Sequence, residues 1–330
     1  MPNPTVGDLH VVTELTDLSV GHFQDMGGFV APKVAPFVRV ANQANKFRIY
    51  SRDDLARAEM QLRAPNSESA GGGWRVTQGD YSCDRWGLHK DIADDERAND
   101  DVGDLDAEAT EWLTEQWLIR MEKEWAFNFF KTGVWGLDRA GNAAPTGDQF
   151  LFWDAAAAVP VSDIQTSKRT IRKAARGLPG TGAGSFKFVI GTEAYAKLLE
   201  VDSVEDKIKH TQLGITTPQL LAMMFGVSEV IEAEACETTS AEAAATQTGD
   251  FIVNGKDGLL LWVPNSPGKM KPSAMYTFVW TGKTGVSELG NRIKRFRQEQ
   301  VDGDRIEIDA YFDQVKVAGG LGVFFDNLVQ

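Results

Sequence analysis

The sequence predicts an α+β fold, and three features carry that expectation. Apolar residues recur at three- and four-residue steps from Leu105 to Phe129, the pattern of one long helix with a buried stripe. Short runs such as 46–50, 259–263 and 305–309 alternate with period two or are continuously apolar, as strands do. Between two strand runs lies 63–73 (RAPNSESAGGG), a polar, glycine-rich tip with no core-forming residue, which reads as the end of a long hairpin.

The bulk properties narrow the class. A chain of 330 residues has enough material for a sizeable core, or for roughly two ordinary domains. Its 42% hydrophobic and 25% charged residues are ordinary for a folded chain. No apolar run approaches the roughly 20 residues of a membrane span, and no secretory leader is visible. The two cysteines, Cys83 and Cys236, fit no metal or redox spacing and read as free thiols in a reducing compartment. The formal net charge of −13 argues against a dedicated DNA-binding protein, because DNA affinity comes from Lys and Arg on phosphates. It suits a surface that lies near DNA without sticking to it, and solubility explains it equally well.

Along the chain, the first forty residues lack a helical period and are punctuated by Gly21, Gly27, Gly28, Pro32 and Pro36. They read as an extended arm whose apolar bits (Val11-Val12, Phe29-Val30, Phe37-Val38) are able to pair with something else. Residues 46–50 form one strand of the hairpin, and 74–77 followed by 81–88 form the other. A two-stranded hairpin this long is marginal alone in water and needs a surface to lie on. An acidic stretch leads into the long helix, with Asp104, Asp106 and Glu108 in its first turn, where the helix dipole favours carboxylates. The helix runs to about Lys131, with Gly133 as its stop, a length of about 40 Å. Residues 134–158 read as loop, 162–176 as a second helix and 177–185 (GLPGTGAGS) as a hinge. Beyond it, 186–190 reads as a buried strand, 192–200 as a helix with a shorter helical piece near Glu205, and 217–225 as a helix with Pro218 in its first turn. Strands follow at 227–233, 251–253, 259–263 and 276–280, a small-residue loop fills 238–249, and alternating strands return from Arg292 onward.

No motif for chemistry stands up. The glycine-rich hinge lacks the Gly-Lys-Ser/Thr ending of a phosphate loop and follows a helix. The acidic run 91–106 fails the calcium-loop pattern, since its only glycine, Gly103, is misplaced. The four histidines are scattered, and no nucleophile elbow occurs. Neither an enzyme nor a cofactor is expected. The charge pattern is more informative. Residues 33–63 carry seven basic and three acidic residues, whereas 91–111 carry ten acidic residues and only Arg97 as a base. These complementary surfaces would pair within one subunit or, between repeated copies, steer assembly and fix register; ordinary surface charge is the equal alternative. On the assembly reading, Arg48, Arg52, Arg57 and Arg63 face Asp94, Asp95, Glu96 and Asp100 of a neighbouring copy.

The order of arm, glycine-tipped hairpin, acidic turn, long helix, second helix, hinge, α/β module and returning strands resembles the major capsid proteins of tailed bacteriophages with the Hong Kong 97-type fold. Local sequence supports the likeness along nearly the whole chain: 35–47 (APFVRVANQANKF), 50–54 (YSRDD), 62–65 (LRAP), 95–99 (DERAN), 120–126 (RMEKEWA) and 220–227 (LLAMMFGV). No one of these is chemically diagnostic, and the specificity lies in the collinear set. The resemblance implies an N-terminal arm at 1–45 and an extended E-loop at 46–99. It implies a peripheral domain with the spine helix at 100–184 and 292–316, and an axial α/β domain at 185–291 and 317–330. It also implies self-assembly through hexamers and pentamers into an icosahedral shell around double-stranded DNA, held without sequence-specific binding. The expected location is the virion, after assembly in the bacterial cytoplasm, with no membrane contact. A portal and a decoration protein are implied partners, and because the chain begins almost at the arm, scaffolding is expected to come from a separate protein or to be dispensable. Some relatives crosslink an E-loop lysine to a neighbour, but 47–89 contain no lysine, so no such crosslink is expected here. Two rival readings stay open: an encapsulin-like compartment enclosing cargo enzymes, and a soluble α/β enzyme whose site is assembled from distant residues.

Overall fold

The computed structural model describes residues 26–100, 103–177, 185–208, 217–241, 244, 246–264, 273–283, 285–300 and 302–330, with the side chains of Met26 and Arg52 left out. The Val11-Val12 pair and most of the glycine-rich hinge lie outside these residues. The chain enters through a 3-10 turn and α1 (Ala31–Val34), then β1 (Phe37–Val40), β2 (Ala44–Tyr50) and α2 (Arg52–Leu55). Next come β3 (Val76–Ser82), β4 (Asp84–Ala93), α3 (Asp94–Asn99) and α4 (Leu105–Phe129). After α4 follow β5 (Leu137–Asn142), β6 (Phe150–Leu151), α5 (Pro160–Ala174), β7 (Phe186–Gly191), α6 (Thr192–Leu199), α7 (Asp202–Ile208), α8 (Pro218–Phe225) and β8 (Glu229–Ala233). The chain ends with β9 (Cys236–Thr238), β10 (Gly249–Phe251), β11 (Gly258–Trp262), β12 (Met275–Trp280), β13 (Asn291–Gln298), β14 (Gly303–Lys316) and β15 (Gly322–Asp326).

Two sheets organise these elements. One runs β6-β5-β15-β11-β7-β8, and its central β11 (GLLLW) is buried along its whole length, as a strand covered on both faces must be. The other is built on β14, which pairs antiparallel with β4 on one edge and with β13 and then β12 on the other, while β1 adds parallel to β12. The stripe on α4 is buried as its periodicity demands: Ala109, Leu113, Trp117, Met121, Trp125 and Phe129 all enter the core. Asp104 caps that helix by accepting the Asp106 and Ala107 N–H groups at 3.1 and 3.4 Å. At α8, Thr217 caps the start beside Pro218, and Gly226 closes the end in the left-handed region at φ 62°.

Several readings need correcting. The span 134–158 is not all loop: β5 and β6 extend the six-stranded sheet. Their pattern is hidden because β5 turns a charged residue inward. Arg139 is buried, and its guanidinium donates to the Asp148, Gln149 and Asp163 carbonyls. The second hairpin strand is broken at Cys83, where the chain leaves the β2–β3 ribbon to pair with β14. The small-residue loop 238–249 is flanked by the short β9–β10 hairpin, and the strand expected at 251–253 ends at Phe251. The apolar bits of the entering chain find partners here: Phe29 and Val30 are fully buried, and β1 carries Phe37 and Val38 alongside β12.

Glu122, on the buried side of α4, fixes this entry. One carboxyl oxygen accepts the N–H groups of Val30 at 3.0 Å and Ala31 at 2.7 Å, the orphan donors at the start of α1. Burial pushes the carboxyl up to about 7, against the pull of those two N–H groups and of Lys33. A raised folded value means that the native state binds the extra proton. The favourable contribution is therefore complete below the unfolded value near 4.5 and is lost as pH rises through about 7. Across that window the wild type should lose about 3 kcal/mol relative to Glu122→Gln. Denaturant unfolding of both proteins from pH 4.5 to 7.5 reads this, and parallel profiles would exclude Glu122 as the source.

Candidate assembly surfaces

Among the described residues the β2–β3 ribbon pairs with no other sheet, and its base is clamped by a small core of its own. Tyr81 stacks on Phe278 with ring centroids 4.6 Å apart, and Phe47 approaches the same ring at 5.3 Å. Phe47 lies flat across the ribbon because its cross-strand partner is Gly79, where a Cβ would meet the ring at 2.6 Å. Cys83 is buried beneath, exchanging backbone and side-chain hydrogen bonds with Gln43 at 2.9 Å. Burial first, then the nearby Asp313 charge, pushes its thiol up to about 12, so it is an inert packing group.

Beyond the clamp the ribbon runs out of core. Residues 56–73 carry no helix or strand, and Met60 and Leu62 are 99% and 104% exposed, with Trp74 at 61%. Two in-chain contacts hold the start of this excursion. Asp54 accepts the Arg75 backbone N–H at 3.0 Å and its Nε at 2.9 Å, and the Arg75 guanidinium holds the carboxyl well below the usual carboxylate range. Asp53 meets Arg176, just past α5, at 2.7 Å, an exposed pair of little energy.

Part of the acidic strip is answered within the chain. Asp91 takes both arms of Arg305 at 2.6 and 2.7 Å, Asp94 meets Arg297 at 2.6 Å, and Asp106 meets Arg97 at 2.8 Å and Arg295 at 2.5 Å. The carboxyls of Asp91, Asp94 and Asp106 are each lowered, in every case first by the arginine hydrogen bond. A second network lies on the same strands. Asp309 is buried between Arg85 and Lys294, and although burial alone would raise its carboxyl, those two cations hold it below its ordinary value. The sequence reading missed Arg295, Arg297 and Arg305. The signal was present in the basic run 292–297 (RIKRFR), and only the fold shows that it crosses the strip.

The comparisons with known proteins follow this geometry. No protein-family model and no curated protein matches the sequence. Solved structures do. A phage-related protein from Bordetella bronchiseptica superposes with a TM-score of 0.66 at 14% identity, covering 92% of this chain and 94% of that one. The capsid of cyanophage P-SCSP1u gives 0.58 at 13% identity and 98% coverage of both chains. The holo-SrpI encapsulin complex from Synechococcus elongatus gives 0.51 at 11% identity and 97% coverage of both. At these identities the likeness is one of fold.

The chain has the Hong Kong 97-type capsid fold.

In that fold the ribbon and its excursion are the E-loop and α4 is the spine helix. Of the eight residues singled out from sequence, Arg48 is exposed with no partner among the described residues. Arg57 stays on its own loop with Asp54 and Glu59, at 3.4 and 3.9 Å, and Arg63 donates to the Ser67 carbonyl. The side chain of Arg52 lies outside the described residues. Asp94 is engaged by Arg297, whereas Asp95 is exposed and Glu96 half-buried, with no ion pair among the described residues. Asp100 is half-buried. Within one subunit none of Arg48, Arg57 and Arg63 meets Asp94, Asp95 or Glu96. Replacing Asp54 with Asn should release Arg75 and loosen the E-loop excursion while leaving both sheets intact. Trypsin should then cut after Arg57 and Arg63 faster than in the wild type, with an unchanged midpoint of global unfolding.

Proposed function

We propose that this chain is the major capsid protein of a tailed phage, a structural subunit that assembles with itself through hexamers and pentamers into an icosahedral shell around double-stranded DNA. The observation that carries the reading is the E-loop: an unpaired ribbon with fully exposed Met60 and Leu62 at its far end, on a chain with the capsid fold. Apolar groups held out on a thin ribbon are stable only against another surface, and a repeated shell offers the same surface to every copy. On this reading residues 1–45 are the arm, 46–99 the E-loop, 100–184 with 292–316 the peripheral domain and 185–291 with 317–330 the axial domain. Scaffolding, portal and decoration proteins are the further partners, and the virion is its location.

The charge arrangement refines the contact. The arginines of β13 and β14 already answer Asp91, Asp94 and Asp106, whereas Asp95 and Glu96 have no ion pair among the described residues; these two, with Asp94 and Asp100, are the proposed acidic side of the contact. They face Arg48, Arg52, Arg57 and Arg63 of the next E-loop. Steering of this kind sets register and association rate more than it sets affinity. An Arg52→Glu/Arg63→Glu double variant should fold with wild-type circular dichroism yet yield no particles by negative-stain microscopy; normal particle yield would sink the contact. The likeness to an encapsulin supports a second reading, a compartment shell around protein cargo. Nuclease-resistant DNA inside particles purified from infected cells supports the phage reading, and enclosed protein without DNA supports the other.

A further inference from the structure

The described chain starts beside an open groove. Its walls are the outer side of α4 and the β9–β10 hairpin with the turn after it, and Ile119, Lys123, Phe127, Cys236, Glu237 and Ile252 line it. Two stretches of about 470 and 250 Å3 share Lys123 and Glu237, whose side chains form an ion pair across the groove. Phe127 stands 74% exposed at one end, with the Lys131 ammonium over its ring.

We propose that this groove seats the chain's own N-terminal segment, residues 1–25, which lie outside the described residues. The path of the entering chain points there. Val30 and Ala31 hang from Glu122, which precedes Lys123 and lies about one helical turn from Ile119 and Ala126. A Cβ on Gly28 would touch Glu234, two residues before Cys236 on the opposite wall. Gly28 therefore lies close to both walls. Phe23 and Val20 are five and eight residues before Gly28, which puts them within roughly 30 Å of chain. The chemistry also fits. Leu15, Leu18, Val20 and Phe23 supply apolar groups for the Ile119, Phe127 and Ile252 surface. The segment carries four acidic residues (Asp8, Glu14, Asp17, Asp25) and no lysine or arginine, whereas the α4 wall offers Arg120 and Lys123, each with an in-chain acidic partner it can share. The occupancy adds a cover over the spine helix of the free subunit, which any partner of that face must first displace.

Cys236 is a native reporter, because it lines the groove while Cys83 is fully buried. The experiment follows alkylation of Cys236 in the full-length free subunit, wild type against Leu18→Ala/Phe23→Ala, with peptide mass spectrometry and Cys83 as the internal reference. Several-fold faster modification of Cys236 in the double variant, with wild-type protection unchanged on serial dilution, is the expected result. Equal rates would overturn the proposal. Protection that disappears on dilution would overturn it too, by giving the groove to a second copy. The measurement is made without particles, so its outcome is independent of the shell reading.

Discussion

Strand β14 is the element on which the rest of the structure depends. Its 14 residues hold β4 along one edge and both β13 and β12 along the other, and α4 packs against it. Because β4 is the continuation of the E-loop ribbon, pairing with β14 sets where that ribbon points. Because β13 and β14 carry Arg295, Arg297 and Arg305, the same strand pair sets which acids of 91–106 are neutralised at home. The buried Asp309 shows how firmly the register is specified. It sits opposite Gly87, between Arg85 and Lys294, and a slip by one residue would leave a buried carboxylate without cations.

Two kinds of surface result. The six-stranded sheet and the α4 stripe share one continuous core. The E-loop is the opposite case. Its own cluster of Tyr81, Cys83, Tyr276 and Phe278 secures the base, but among the described residues no second layer covers the ribbon beyond it. A two-stranded ribbon with no covering layer is marginal in water, and this is why the proposed contact between copies falls on it. That physical deficit is what the proposed shell-forming role rests on.

Much of this was legible in the sequence, and the reasons differ by element. The α4 stripe, β7, β11 and the capped α8 follow local rules of period and capping, and their bounds agree with the structure within a few residues. Elements set by distant pairing were hidden. β5 reads as loop because Arg139 occupies an inward position, satisfied by carbonyls that only the tertiary fold supplies. The break at Cys83 is invisible because nothing in 74–88 announces a change of partner from β2 to β14. Among the site residues, the acidic strip was plain from composition. Its division into acids bound by β13–β14 and acids left outward, Asp95 and Glu96 among them, required knowing that 292–305 lies across 91–106.

The central claim is that the E-loop is completed by a neighbouring copy, and hydrogen–deuterium exchange on the free subunit and on assembled particles tests it most directly. Amides in 50–85 should exchange rapidly in the subunit and become strongly protected in the particle, while β11 and α4 are protected in both. Equal protection of 50–85 in the two states would contradict the account.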